Sequence, residues 1–144
     1  MCEAPGDSNS NVVFDASGVL MAIVLIVEDE VFIRQNAEWT IADLGYGTLL
    51  ASDANEAMTH LSAPHQIDAL FVDIRLGHVA RGGYGIADHA IQNRPQLRVL
   101  YTSGSPLSGE MTDHFVGGGQ FIQKPYSDSQ LETALALLFQ PVAP

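Results

Sequence analysis

The chain has 144 residues, close to the length of one compact domain, and no second fold of ordinary size fits beside it. Seventeen acids against six bases leave a formal charge of −11, while 47 % apolar and 16 % charged residues describe a globular composition, not a disordered acidic one. That charge disfavours nucleic acid and anionic membranes as partners, the lone Cys2 allows no internal disulfide, and the absence of a long apolar run or a basic-then-apolar amino terminus points to a cytoplasmic location.

Residues 1–20 are small, polar and mildly acidic, and read as a tail. Their one apolar stretch, Val12-Val13-Phe14, is expected to pack on the surface in preference to adding an edge strand or a dimer contact. The domain proper is expected over residues 21–140, with 141–144 as a short C-terminal tail. Ile23–Val27 is a continuous β-branched run, the pattern of a strand buried on both faces. Ile33, Ala37, Ile41 and Leu44 recur at helical spacing, and Gly45 closes that helix. Gly47–Ala51 forms a second strand, and Asp53 or Asn55 caps a helix through Leu61, before Pro64. Ala69–Val72 is a third buried strand, Tyr84–Ile91 a third helix and Leu97–Tyr101 a fourth strand. Ser105-Pro106 reads as an N-cap followed by proline at the first helical position, which predicts a helix through about residue 115. Phe121–Gln123 is a short fifth strand. Ser127 and Gln130 form a capping box for a last helix with Leu131, Leu135 and Leu138 on one face.

Strand and helix therefore alternate five times, the α/β pattern of a doubly wound parallel sheet of five strands, written (βα)5. In such sheets ligands bind at the carboxyl ends of the strands. Glu28-Asp29-Glu30 follow the first strand, Asp73 ends the third, Thr102 ends the fourth and Lys124 ends the fifth. Three carboxylates on one partly desolvated rim repel one another unless a hard cation sits among them, and oxygen ligands favour Mg²⁺ or Mn²⁺. Asp29 and Asp73 are the expected direct ligands, Glu28 holds a metal-bound water, and the Arg75 carbonyl completes the set. Glu30 is better explained by the helix dipole. Beside such a cation, Asp73 can act as a nucleophile toward phosphorus, with Lys124 and the Thr102 hydroxyl neutralising the charge that develops.

Residues 21–140, about five sixths of the chain, resemble the receiver domain of bacterial two-component response regulators. The matching segments are VEDE (Glu28, Asp29), LFVDIRLG (Asp73), LYTSG (Thr102) and FIQKPY (Lys124). The intervals of 44, 29 and 22 residues between Asp29, Asp73, Thr102 and Lys124 match the family's within one residue. The resemblance implies a flavodoxin-like fold and a phosphoprotein that takes a phosphoryl group onto Asp73. The donor it implies is a sensor histidine kinase or a histidine phosphotransfer protein. It also implies a switch in which Thr102 turns toward the phosphoryl group and Phe121 moves inward behind it. A permanently buried core phenylalanine is the competing reading of Phe121. The Lys124–Pro125 bond is often cis in this family. The chain is expected to catalyse only its own phosphorylation and dephosphorylation, and so is not counted as an enzyme.

Where many receivers carry Met-Pro after the acceptor, this chain has Leu76-Gly77, and the following GHVARGGYG is about four residues longer. Its glycines suggest a mobile loop beside the metal, in which His78 and Arg81 are expected to be solvated. The RLG sequence is similar to that of receivers paired with HWE/HisKA2-type kinases. Trp39 lies off the apolar stripe of its helix, either exposed as a docking anchor or partly buried against the sheet. With only Gln140–Pro144 after the last helix, the expected role is a stand-alone phosphate sink, phosphorelay intermediate or adaptor. In the adaptor role, phosphorylation would recruit a protein or drive homodimerisation. The alternatives are a phosphorylation-independent pseudo-receiver binding module and an Asp-nucleophile phosphohydrolase of the haloacid-dehalogenase type.

Overall fold

The computed structural model describes residues 21–79 and 81–140, together with Gly18. The Val12–Phe14 stretch and the 141–144 tail lie outside the described residues. Five strands and five helices alternate: β1 Ile23–Val27, α1 Val31–Asp43, β2 Gly47–Ala51, α2 Ala54–Ser62, β3 Ala69–Asp73, α3 Gly82–Asn93, β4 Arg98–Ser103, α4 Gly109–Asp113, β5 Gln120–Gln123 and α5 Asp128–Leu138. All four pairings are parallel, in the order β2-β1-β3-β4-β5. The doubly wound sheet anticipated from the alternation is the one observed. Its order reverses direction between β1 and β3, the place where such sheets open a crevice at their carboxyl edge.

Successive side chains of the strands face opposite sides of the sheet, as their pleat requires. Leu25, Val27, Leu70, Val72, Val99 and Tyr101 face one core, closed by Ala57 and Leu61 of α2 and by Ile86, Ala87 and Ala90 of α3. Val24, Ile26, Ala69, Phe71, Leu100 and Ile122 face the other, closed by Ala37 and Ile41 of α1 and by Leu131, Leu135 and Leu138 of α5. Because both faces are covered, the central strands can be apolar throughout, which explains the unbroken Ile23–Val27 run.

Local signals fix most helix ends. Gly45, at φ +99, follows α1: its N–H donates to the Ala42 carbonyl and that of Tyr46 to Ile41. This pair of bonds is a Schellman closure, which needs a left-handed residue there. The Asp53 carboxylate accepts the Glu56 N–H at the start of α2, and Ser127 with Gln130 forms the expected capping box on α5.

The helix expected from Ser105 is the main correction. It begins instead at Gly109, with Ser108 as N-cap accepting the Met111 N–H, and it ends at Asp113. Two serines offer the same capping chemistry, and packing chooses between them. The Ser105 N–H is taken by the Ser103 hydroxyl in a turn, and Leu107 stays exposed, so a first turn at 106–108 would bury nothing. Met111, Phe115 and Val116 are the residues of this region that reach the core.

The 77–85 segment is also more regular than its glycines suggested. Leu76 and Val79 exchange both backbone hydrogen bonds around Gly77-His78, a two-residue turn with Gly77 at φ +59. Gly82, Gly83 and Gly85 lie in α3, which is longer than Tyr84–Ile91 at both ends. Gly83 is there for space: a Cβ on it would stand 2.3 Å from the Asp73 carbonyl oxygen and 2.8 Å from the Ile74 Cα. A Cβ on Gly85 would meet nothing within 4 Å.

The two glycines therefore predict opposite outcomes in urea unfolding. Gly83→Ala must displace backbone and should cost about 3 kcal/mol, the upper part of the overpacking range. Gly85→Ala adds helix propensity at an open site and should stabilise by up to about 1 kcal/mol.

Candidate functional site

Strand register assembles the site. Val27 of β1 pairs with Val72 of β3, so Glu28 and Asp29, just past β1, stand beside Asp73 at the end of β3. Asp73 is itself the register partner of Thr102 on β4. Glu28, Asp73 and Thr102 are 4 %, 6 % and 3 % exposed, so two carboxylates and a hydroxyl are buried at the rim of an apolar sheet. Such groups need partners.

Lys124 supplies one. It follows β5 directly, held by its N–H on the Ser103 carbonyl, with the Lys124–Pro125 bond cis. Its ammonium lies 2.7 Å from Asp73 Oδ2 and 2.6 Å from Glu28 Oε1. The other Glu28 oxygen accepts the Glu30 N–H at 3.0 Å, and Asp73 Oδ1 accepts the Arg75 N–H at 3.2 Å. Glu30 itself caps α1, accepting the Phe32 N–H, so the dipole explanation for this acid holds.

One cation does not balance the acids. Burial, together with the charge on Asp73, pushes the Glu28 carboxyl up to about 7, against the lowering effect of its bonds from Lys124 and Glu30. Burial alone would lower the Lys124 ammonium, but its hydrogen bonds to Asp73 and Glu28 outweigh that and hold it above the ordinary lysine range. The Tyr126 phenol is pushed up by burial and by the nearby Glu28 and Asp73 charges, so it stays neutral.

Glu28, Asp29 and Asp73 each offer an oxygen, and the three oxygens lie within 4.8 Å of one another. An all-oxygen donor set with excess negative charge suits a hard divalent cation such as Mg²⁺. A further feature marks the site as built for a ligand. Among the described residues the Thr102 hydroxyl is buried without a hydrogen-bond partner, and the crevice behind it, bordered by Ala37, Phe71 and Tyr126, is too tight for water.

Three contacts were not anticipated in the sequence. The Arg34 guanidinium donates to the Glu28 carbonyl at 2.8 Å, the Gly77 N–H donates to Asp29 Oδ2 at 3.0 Å, and Tyr126 packs against Phe71. Conversely, Arg81 is drawn away from the acids: its guanidinium contacts the His114 ring and lies over Tyr84. His78 is exposed. Phe121 is half-buried against Phe115, and Trp39 is 57 % exposed.

Against protein-family models, residues 24–136 match the response regulator receiver domain. The chain belongs to this family. Among curated relatives, the receiver is 28 % identical over 114 residues to a probable transcriptional regulator, ycf27, of Guillardia theta, covering 78 % of this chain and 43 % of that protein. The receiver spans under half the length of the curated relatives it matches first. A response regulator receiver protein from Sinorhizobium medicae superposes with TM-score 0.74 at 26 % identity, covering 82 % of this chain and 94 % of that one. Chemotaxis protein CheY4 of Vibrio cholerae superposes at 0.73 with 23 % identity, covering 83 % and 99 %, which speaks to the fold alone. No helix among the described residues is long and apolar enough to cross a membrane.

The raised Glu28 carboxyl has a pH signature in the metal-free protein. Its folded-state value of about 7 exceeds the ordinary 4.5, so its contribution is fully present below 4.5 and is lost as pH rises through 7. In urea unfolding with chelator present, the wild type should lose on the order of 2 kcal/mol between those limits relative to Glu28→Gln. Parallel pH profiles for the two proteins would contradict this.

Proposed function

We propose that the receiver accepts a phosphoryl group on the Asp73 carboxylate from a phosphohistidine of a sensor kinase or phosphotransfer protein. The observation that carries this reading is the Lys124 ammonium on Asp73, beside two more acids and a buried hydroxyl with no partner. Asp29 and Asp73 would hold the Mg²⁺ directly, Glu28 through a water, and the Arg75 carbonyl would complete the protein's share. When bound, the cation neutralises charge on the transferring phosphoryl oxygens.

The chain's residues do the rest. An Asp73 oxygen attacks phosphorus in line, the phosphorus–nitrogen bond of the phosphohistidine breaks, and imidazole leaves. Lys124 stays protonated and exchanges part of its contact with Asp73 for a phosphoryl oxygen. The Thr102 hydroxyl gains its missing partner by donating to another, and Phe121 follows it inward. The phosphate then makes one of two arrangements of Thr102 and Phe121 the more stable, which is the physical content of the switch an adaptor would use; a sink or relay needs only the transfer itself.

Incubation with acetyl phosphate or phosphoramidate and Mg²⁺, followed by intact mass, tests the proposal. The wild type should gain one phosphoryl group, and Asp73→Asn and chelator-treated protein none. No adduct on wild type, or the same adduct on the variant, would sink it. The decay of that adduct sorts the roles: rapid loss fits a sink or relay, and a persistent adduct with a changed oligomeric state fits an adaptor.

A further inference from the structure

Asp29 differs from its partners in the acid cluster. Glu28 and Asp73 are buried and clamped by Lys124, whereas Asp29 is exposed on the β1–α1 turn, where its side-chain torsions have room to move. Its carboxylate is met from the opposite side of the crevice by the backbone N–H of Gly77, 48 residues away.

That N–H is presented by an ordered turn. Leu76, 6 % exposed, anchors one side, and its N–H and carbonyl bond those of Val79 at 3.0 and 2.9 Å. The Gly82 N–H returns to the Val79 carbonyl and that of Gly83 to Ile74, so the turn is tied to both β3 and α3. Gly77 takes φ +59, which glycine and, at small cost, asparagine adopt. Proline can supply neither that angle nor an N–H.

We infer that Gly77 is a positioning residue for the cation site, its amide fixing the Asp29 carboxylate in the orientation that completes the acid cluster. This rests on the metal reading proposed above. An ionised carboxylate has two oxygens and about four acceptor sites, so one N–H orients it without using up its capacity for a cation. Hydrogen bonds to ligating carboxylates are worth roughly 10- to 100-fold in metal affinity. The longer segment after Asp73 thus acts as part of the site's frame.

The test compares Mg²⁺ binding by calorimetry in wild type, Gly77→Pro and Gly77→Asn. Proline is the residue many receivers carry at this place, but here it removes the N–H that meets Asp29 and cannot take the φ of +59 this turn requires. The proline variant should therefore bind at least about tenfold more weakly. The asparagine variant, which keeps the N–H and the left-handed angle, should bind as wild type does. Equal affinity in wild type and Gly77→Pro, or equal loss in both variants, overturns the inference. A metal-free readout guards against a proline variant that distorts the loop. In wild type the Gly77 amide proton should resonate downfield and exchange slowly, and Asp29→Ala should abolish both while leaving the Leu76 and Val79 amides in place. A Gly77 amide indifferent to Asp29→Ala overturns the inference. Failure of wild type to bind Mg²⁺ would instead overturn the metal reading, with the amide readout still reporting on the contact itself.

Discussion

The structure around the rim depends on one constraint: two carboxylates buried at the end of an apolar sheet, with a single ammonium between them. Neither Glu28 nor Asp73 could sit there unpaired, because removing a charge from water costs several kcal/mol after relaxation. Lys124 bridges both, and the last strand exists in this position to carry it. That strand is four residues long with a single buried residue, Ile122, so its own packing contributes little. Its value lies in delivering the ammonium across β4 to the middle of the sheet edge.

The same constraint explains why the site is responsive. A cluster in which the acids outnumber the fixed cation is incomplete, and it favours whatever positive or charge-accepting species arrives. The Thr102 hydroxyl is unsatisfied in the same direction. Both features would be relieved at one place by the cation and phosphoryl group proposed above, which would link binding to conformation without a long-range device.

Much of this was legible in the sequence, for identifiable reasons. β1 falls where its apolar run places it, because a strand buried on both faces carries no competing pattern, and the edge strand β2, only partly buried, also falls at Gly47–Ala51. Glu28, Asp29, Asp73, Thr102 and Lys124 were legible because each stands at or next to a strand end, and a parallel sheet brings those ends together. What escaped notice acts through the backbone or through space. The Arg34 and Gly77 contacts each involve a main-chain group, which no residue type announces. The glycines of residues 77–85 read as freedom, yet Gly83 is required by a close approach that composition cannot reveal. The short α4 was misjudged because Ser105 and Ser108 are chemically equal caps, and what separates them is the turn that takes the Ser105 N–H and the packing of the partly buried Met111 and Phe115 against the core.

The closeness of Gly83 to the Asp73 carbonyl has a mechanical consequence. With no side chain between them, the main chain of α3 lies directly against the end of β3, and no space is left there for a displacement toward α3. On the other side lies α4, a helix of five residues with none buried, joined to the sheet by the side chains that flank it. The compliance of the molecule is therefore lopsided. A shift of the Asp73 backbone meets main chain directly on the α3 side and packed side chains on the α4 side, and close-packed main chain is the harder of the two to move.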